Sequence, residues 1–124
     1  MQTYKDLKVW EVNQACVMKL VRLIEQLPGT LAAKTISEQL LRSLLSVGAN
    51  LAEGYSSYEG KEYARYAKIS LRSAVESDHW LTTLGNIFEK KKVEIAEVGE
   101  LNIETIKMLK GLIRSIEEKR ESSP

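Results

Sequence analysis

The sequence predicts an all-α chain folded as an antiparallel, up-down-up-down four-helix bundle, and three observations carry that expectation. Apolar residues recur at the three- and four-residue spacing of helices along nearly the whole chain, without sustained strand-type alternation. Breakers are few: the prolines are Pro28 and Pro124, and the clear breaks fall at Pro28-Gly29 and between Gly54 and Gly60. A chain of 124 residues makes one domain, spanning 1–124, long enough to bury a core without covalent staples.

Helix one is predicted over residues 4–27, with Thr3 and Asp6 placed to cap its start. Its apolar residues form two overlapping stripes. Trp10, Val17, Leu20, Ile24 and Leu27 make one, interrupted by Asn13 and Gln14; Val9, Val12, Cys16, Leu23 and Leu27 make the other. Pro28-Gly29 then stops the helix. Helix two follows over 30–55, starting at Thr30 or at Thr35, since Thr35 and Glu38 also have capping-box spacing. Ile36, Leu40, Leu41, Leu44, Leu45, Val47 and Leu51 make it apolar over more than one stripe, so it needs cover on more than one side.

Ser56 and Glu59 have capping-box spacing and open helix three, predicted over 59–89 and roughly 45 Å long at the standard rise. Its inner line is built of small residues, Ala67, Ser70, Ala74 and Ser77, before Leu81, Leu84 and Phe88 take over. Small side chains permit close approach, and Gly48, Ala49 and Ala52 on helix two are the expected partners. No glycine or proline marks the third break. It is placed at residues 90–94, where the period falters, with Gly85-Asn86 as the competing position. Helix four, over 94–119, carries Val98, Leu101, Thr105, Met108, Leu112 and Ile116 on one face, with Ile106, Leu109 and Ile113 beside them. The excess apolar width of helices one and two implies a second buried surface, against copies of the same chain.

Composition narrows the function. Net charge is +1, so there is no global polycation to argue for nucleic acid. The single cysteine, Cys16, excludes an internal disulfide and a cysteine-based metal site, and fits a reducing cytosol. No apolar run approaches the ~18 residues of a membrane span, and Met1-Gln-Thr-Tyr-Lys-Asp6 has no apolar core of a secretory signal. A cytoplasmic protein with no membrane partner is expected.

Catalytic constellations are hard to assemble. His79 is the only histidine; Glu76-Ser-Asp-His79 has the Glu-x-x-His spacing of di-metal bundles, but no second such pair exists. His79 and Asp78 are therefore expected to flank the helix and help fix Trp80. Cys16 reads as a small buried apolar residue, and Ser43, Ser46, Ser70, Ser73 and Ser77 as packing residues within helices. No phosphate loop follows Gly54 or Gly60. The expectation is no enzyme and no cofactor.

The clearest surface pattern is basic. Lys61, Arg65, Lys68 and Arg72 recur at helical spacing along one line of helix three, flanked by Tyr58 and Tyr66. Lys107, Lys110 and Arg114 make a similar row on helix four. Spaced cations suit a phosphate backbone and aromatics suit exposed bases; a solvated helix face accounts for the same residues.

The stretch Ile36-Ser-Glu-Gln-Leu-Leu-Arg-Ser-Leu-Leu-Ser-Val-Gly-Ala-Asn-Leu-Ala-Glu-Gly54 resembles the signature segment of the four helix bundle protein family, which includes proteins encoded in intervening sequences of bacterial 23S rRNA genes. Tyr4-Lys-Asp-Leu-Lys-Val-Trp10, Ala74-Val-Glu-Ser-Asp-His-Trp-Leu81 and Ile106-Lys-Met-Leu-Lys110 are similar to its opening, third-helix and closing segments. The resemblance implies a cytoplasmic bacterial bundle that assembles as a homopentamer. A distantly similar set serves as the accessory protein of diversity-generating retroelements, where a basic pentamer binds a reverse transcriptase and its RNA; this chain is near neutral. The motif residues have architectural readings. Asn50 bonds to a neighbouring backbone or side chain, Arg42 pairs with Glu38, Glu53 meets Arg72 between helices two and three, and Gly54 stands just past the helix end. The resulting expectation is an oligomeric scaffold that binds RNA or an RNA-bound protein through helix three, with a purely protein-binding scaffold, or an accessory subunit of a retroelement reverse transcriptase, as the alternatives.

Overall fold

The computed structural model describes residues 2–57 and 59–122, and among them the chain is helical throughout, without strands. Four helices carry it: α1 (Lys8–Ile24), α2 (Leu31–Tyr55), α3 (Gly60–Ile87) and α4 (Lys92–Glu121). Each packs against two neighbours, α1 against α2 and α4, and α3 against α2 and α4, which closes a four-sided bundle. Cross-links show the antiparallel order. Lys91 meets Gln26 while Lys19 meets Glu97, so α4 descends where α1 rises.

Several boundaries differ from expectation, each for a local reason, and the start of α2 is decided between its two candidates. Thr3 and Asp6 do cap a turn, with Thr3 N donating to Asp6 Oδ2 and Lys5 N to Thr3 Oγ1, but the turn is a short 3-10 segment, Tyr4–Asp6. Leu7 is extended, so α1 starts only at Lys8, and it ends at Ile24 rather than at 27. Thr30, not Thr35, caps α2 by accepting from Ala33 N. The Ser56–Glu59 capping box does not form: the Ser56 hydroxyl turns back to Ala52 O, and Ser57 Oγ accepts from Glu59 N instead. The third break lies earlier than 90–94. Phe88 leaves helical geometry at φ −109° and ψ 69°, a 3-10 turn covers Glu89–Lys91, and α4 begins at Lys92.

The interior changes character along the bundle axis. Toward the end holding the α1–α2 and α3–α4 connections, Leu20, Leu40, Leu44, Leu81 and Leu84 pack with Cys16, Ile95 and Val98. Toward the opposite end the core narrows to Ala64, Ala67 and Ile116. The small-residue line of α3 is buried as expected, from Ala67 through Ser70 and Ala74 to Ser77. Its partners on α2 are different from those expected. Ser43 Oγ and Ser77 Oγ lie 2.7 Å apart, and the Ser70 hydroxyl donates to Val47 O at 2.8 Å. Gly48 instead faces α1, where an added Cβ would sit 2.7 Å from Asn13 Oδ1, and Ala49 is exposed.

Two buried asparagines complete the core. Asn13 does not merely interrupt a stripe: it is wholly buried, and its amide nitrogen donates to Leu44 O at 3.2 Å. Asn102, also wholly buried, donates to Ala74 O at 2.8 Å. Their amide oxygens accept nothing from the described residues, a cost of about 1–3 kcal/mol for each buried acceptor left unpaired.

Candidate functional site

The helix-three cations are placed by the burial of the opposite side of α3. With Ala64, Ala67, Ser70 and Ala74 turned inward, Lys61, Arg65, Lys68 and Arg72 are exposed along the outer side, as their spacing predicts. Electrostatically the line is divided. The Arg65 guanidinium pairs with Glu62 at 3.2 Å, and Lys68 Nζ pairs with Glu117 of α4 at 2.7 Å. The hydrogen bond and charge of Lys68 hold the Glu117 carboxyl below its ordinary pKa, and the Glu62 carboxylate raises that of Arg65. Two of the four cations are thus already answered by acids. Lys61 and Arg72 make no ion pair among the described residues, nor do Lys107, Lys110 and Arg114 on α4.

The flanking aromatics are not alike. Tyr66 is half-buried, with the Arg65 guanidinium 4.6 Å from its ring centroid, so its face is occupied. Tyr58 lies outside the described residues.

Of the motif residues, Asn50 bonds to a neighbouring backbone and side chain as expected, whereas Gly54, Arg42 and Glu53 are placed differently. Asn50 Nδ2 donates to Ser46 O and Ser46 Oγ, and the Ser73 hydroxyl of α3 joins Ser46 Oγ at 3.0 Å. Gly54 does not follow the helix end. It is inside α2, buried, with no left-handed backbone, and an added Cβ would come 2.8 Å from Tyr66 Cβ and 3.1 Å from a ring carbon of Tyr63. Its role is close approach of α2 to α3. The two expected ion pairs are absent: Arg42 makes none with Glu38, and Glu53 makes none with Arg72, all four side chains being exposed. Solvation of these charges outweighs the small gain from ordering them in pairs.

Around Trp80 the expectation is half right. His79 stacks edge-on against its ring, but Glu76, not Asp78, accepts from the indole N–H at 3.0 Å. Cys16 is completely buried with its thiol pKa pushed up to about 12 by that burial, which leaves it inert as a nucleophile. Among the described residues no group of three or more His, Cys, Asp or Glu side chains converges as a metal site, and no helix is long and apolar enough to cross a membrane.

The apolar excess of α1 and α2 has a definite place. Gly48 lies against Trp10, Asn13 and Gln14 across the α1–α2 seam. From that contact Met18 and Val21 continue along α1, while Leu45 continues along antiparallel α2 in the same direction. Met18 is 53% exposed, Leu45 48% and Val21 37%. They line the outer side of the seam rather than the core.

Residues 5–111 match the family described as 23S rRNA-intervening sequence protein. The chain belongs to that family. A crystal structure of a protein of unknown function from the S23 ribosomal protein family of Bacteroides thetaiotaomicron VPI-5482 superposes with a TM-score of 0.76 at 24% identity. The alignment covers 85% of this chain and 97% of that one, and it shows the shared fold. No curated protein matches significantly. The family match takes in α1, α2, α3 and most of α4, so the Asn50 network and the Gly54 contact both fall within it.

Proposed function

We propose that this member of the 23S rRNA-intervening sequence protein family is a non-enzymatic, cytoplasmic scaffold that assembles with copies of itself into a ring, five copies by the family resemblance. The observation that carries the reading is the apolar row of Met18, Val21 and Leu45 along the α1–α2 seam, which leaves large side chains in water on a helix pair that needs no more cover for its own fold. Repetition of one such contact around a closed axis covers it in every copy. Met18→Asp with Leu45→Asp is expected to lower the particle mass to that of one chain while leaving the helical circular dichroism unchanged. An undiminished mass would remove this row from the interface.

The assembled scaffold contacts RNA, or a protein bound to RNA, through the outer side of α3. Lys61 and Arg72, which pair with no carboxylate among the described residues, support that contact, and the row of Lys107, Lys110 and Arg114 on α4 adds to it. A ring multiplies a weak patch, because linked sites gain avidity without new contacts. A scaffold that binds protein alone is the second reading, favoured by the neutralisation of Arg65 by Glu62 and of Lys68 by Glu117. Retention of RNA fragments across a salt series separates the two, since phosphate contacts weaken steeply with salt. Lys61→Glu with Arg72→Glu should abolish retention at unchanged particle mass. No retention of RNA even at low salt would leave the protein-binding scaffold standing, and retention that survives the reversal would remove Lys61 and Arg72 from the contact.

A further inference from the structure

Where the connection after α1 meets the link before α4, a cleft of about 490 Å³ opens at the end of the bundle, within the size range of small-molecule sites. Its apolar walls include Pro28, Ile87 and Phe88, and its polar lining includes Gln26, Asn86 and Lys90. The walls are fixed by the fold. Phe88 packs against the leucine-rich core, while Lys91 ties the two connections together, donating to Gln26 Oε1 at 3.1 Å and pairing with Glu94 at 3.5 Å. Ile87, by contrast, is 49% exposed although it stands in the last turn of α3. Leu31 and Val93, the two most exposed large apolar side chains among the described residues, stand in the first turns of α2 and α4 at this same end.

Among the described residues two charges at the cleft are uncommitted, the Lys90 ammonium and the Glu89 carboxylate, so Lys90 is its one uncommitted cation. Lys91 is occupied by Gln26 and Glu94, but Lys90 is exposed and makes no hydrogen bond or ion pair among the described residues. Glu89 beside it argues against a strongly anionic or multiply charged ligand. An apolar wall with one free ammonium group suits a molecule with an apolar body and a single negative charge.

We propose that this cleft binds a small amphipathic organic monoanion, its aliphatic or aromatic body against Pro28, Ile87 and Phe88 and its acid group on Lys90. The site is independent of the α1–α2 row and of the helix-three cations, so it stands or falls apart from the scaffold reading. The test uses the full chain and the aromatic sulfonate 8-anilinonaphthalene-1-sulfonate, whose fluorescence rises in apolar sites. Saturable binding of one dye per chain is expected, with displacement by decanoate and not by decyltrimethylammonium. Ile87→Asp and Lys90→Glu, each checked for intact helical circular dichroism, should each weaken the dye by roughly tenfold, the loss of one apolar or charge-assisted contact. Val75→Asp, on the exposed side of α3 and outside both the cleft and the α1–α2 row, should leave it unchanged. Unsaturable binding, equal displacement by the cationic decyl compound, or binding kept with both Ile87→Asp and Lys90→Glu would each overturn the assignment.

Discussion

The two ends of the bundle are held by different means. At the end carrying the α1–α2 and α3–α4 connections, the interior is wide and filled by leucines, Leu20, Leu40, Leu44, Leu81 and Leu84. At the other, α2 and α3 close on each other over Gly54, Ala64, Ala67 and Ser70. The first end is stabilised by apolar area, about 1.5–3 kcal/mol for each fully buried leucine. The second has little side-chain area to bury, so it depends on fit and on hydrogen bonds such as Ser70 to Val47 O. The difference teaches that loss of volume is the danger at one end and gain of volume at the other.

The largest effect should follow from removing volume at the wide end. Leu84 is completely buried, and Leu84→Ala is expected to cost about 2–5 kcal/mol in urea unfolding. A loss below about 1 kcal/mol would mean that this end closes over a cavity as easily as the narrow one. At the narrow end the opposite change is harmful. Gly54→Ala, adding one methyl 2.8 Å from Tyr66 Cβ, should cost about 1–3 kcal/mol. The same substitution at Gly111 sharpens the contrast, because a Cβ there meets nothing within 4 Å. Gly111→Ala should stabilise the chain by roughly 0.5–1 kcal/mol through helix propensity alone. Equal melting temperatures for the two alanine variants would show that α2 and α3 do not approach as closely as Gly54 requires.

Near neutral pH the smallest effect is expected at Cys16, on the wide side of the core. Burial raises its thiol pKa to about 12 from the ordinary 9.0, so the folded chain keeps this proton where the unfolded chain loses it. The thiol's contribution to stability is therefore full below pH 9.0 and is lost as the pH rises toward 12. Near neutral pH, a maleimide should leave Cys16 unlabelled until denaturant is added; rapid labelling of the folded chain would contradict its burial.

Much of this fold is legible in the sequence because burial there follows period. Leu40, Leu44, Leu81 and Leu84 recur at four and three residues, and Pro28-Gly29 ends the first helix by removing a donor and freeing the backbone. The break at Phe88 carries no such residue, since it rests on one backbone conformation among good helix formers. Asn13 and Asn102 were hidden for another reason. Polar side chains read as surface, and only the Leu44 and Ala74 carbonyls, on other helices, make their burial possible. Gly54 reads as a helix-end glycine because isolated glycines are commonest there, whereas its actual cause, the Tyr66 side chain, lies across an interface. The candidate site shows the same limit. Spacing alone puts Lys61, Arg65, Lys68 and Arg72 on one line, but the acid that answers Lys68 is Glu117, on the next helix beyond the α3–α4 connection.

The scaffold function proposed for the chain depends on further copies of it covering the apolar row on α1 and α2. Its most direct test is the mass of the purified protein by light scattering behind size exclusion, with absorbance at 260 and 280 nm recorded across the same peak. The account predicts a single species of about 70 kDa, five times the 14.0 kDa chain, with excess 260 nm absorbance that high salt removes. A species of 14.0 kDa would contradict it, leaving Met18, Val21 and Leu45 exposed on a monomer.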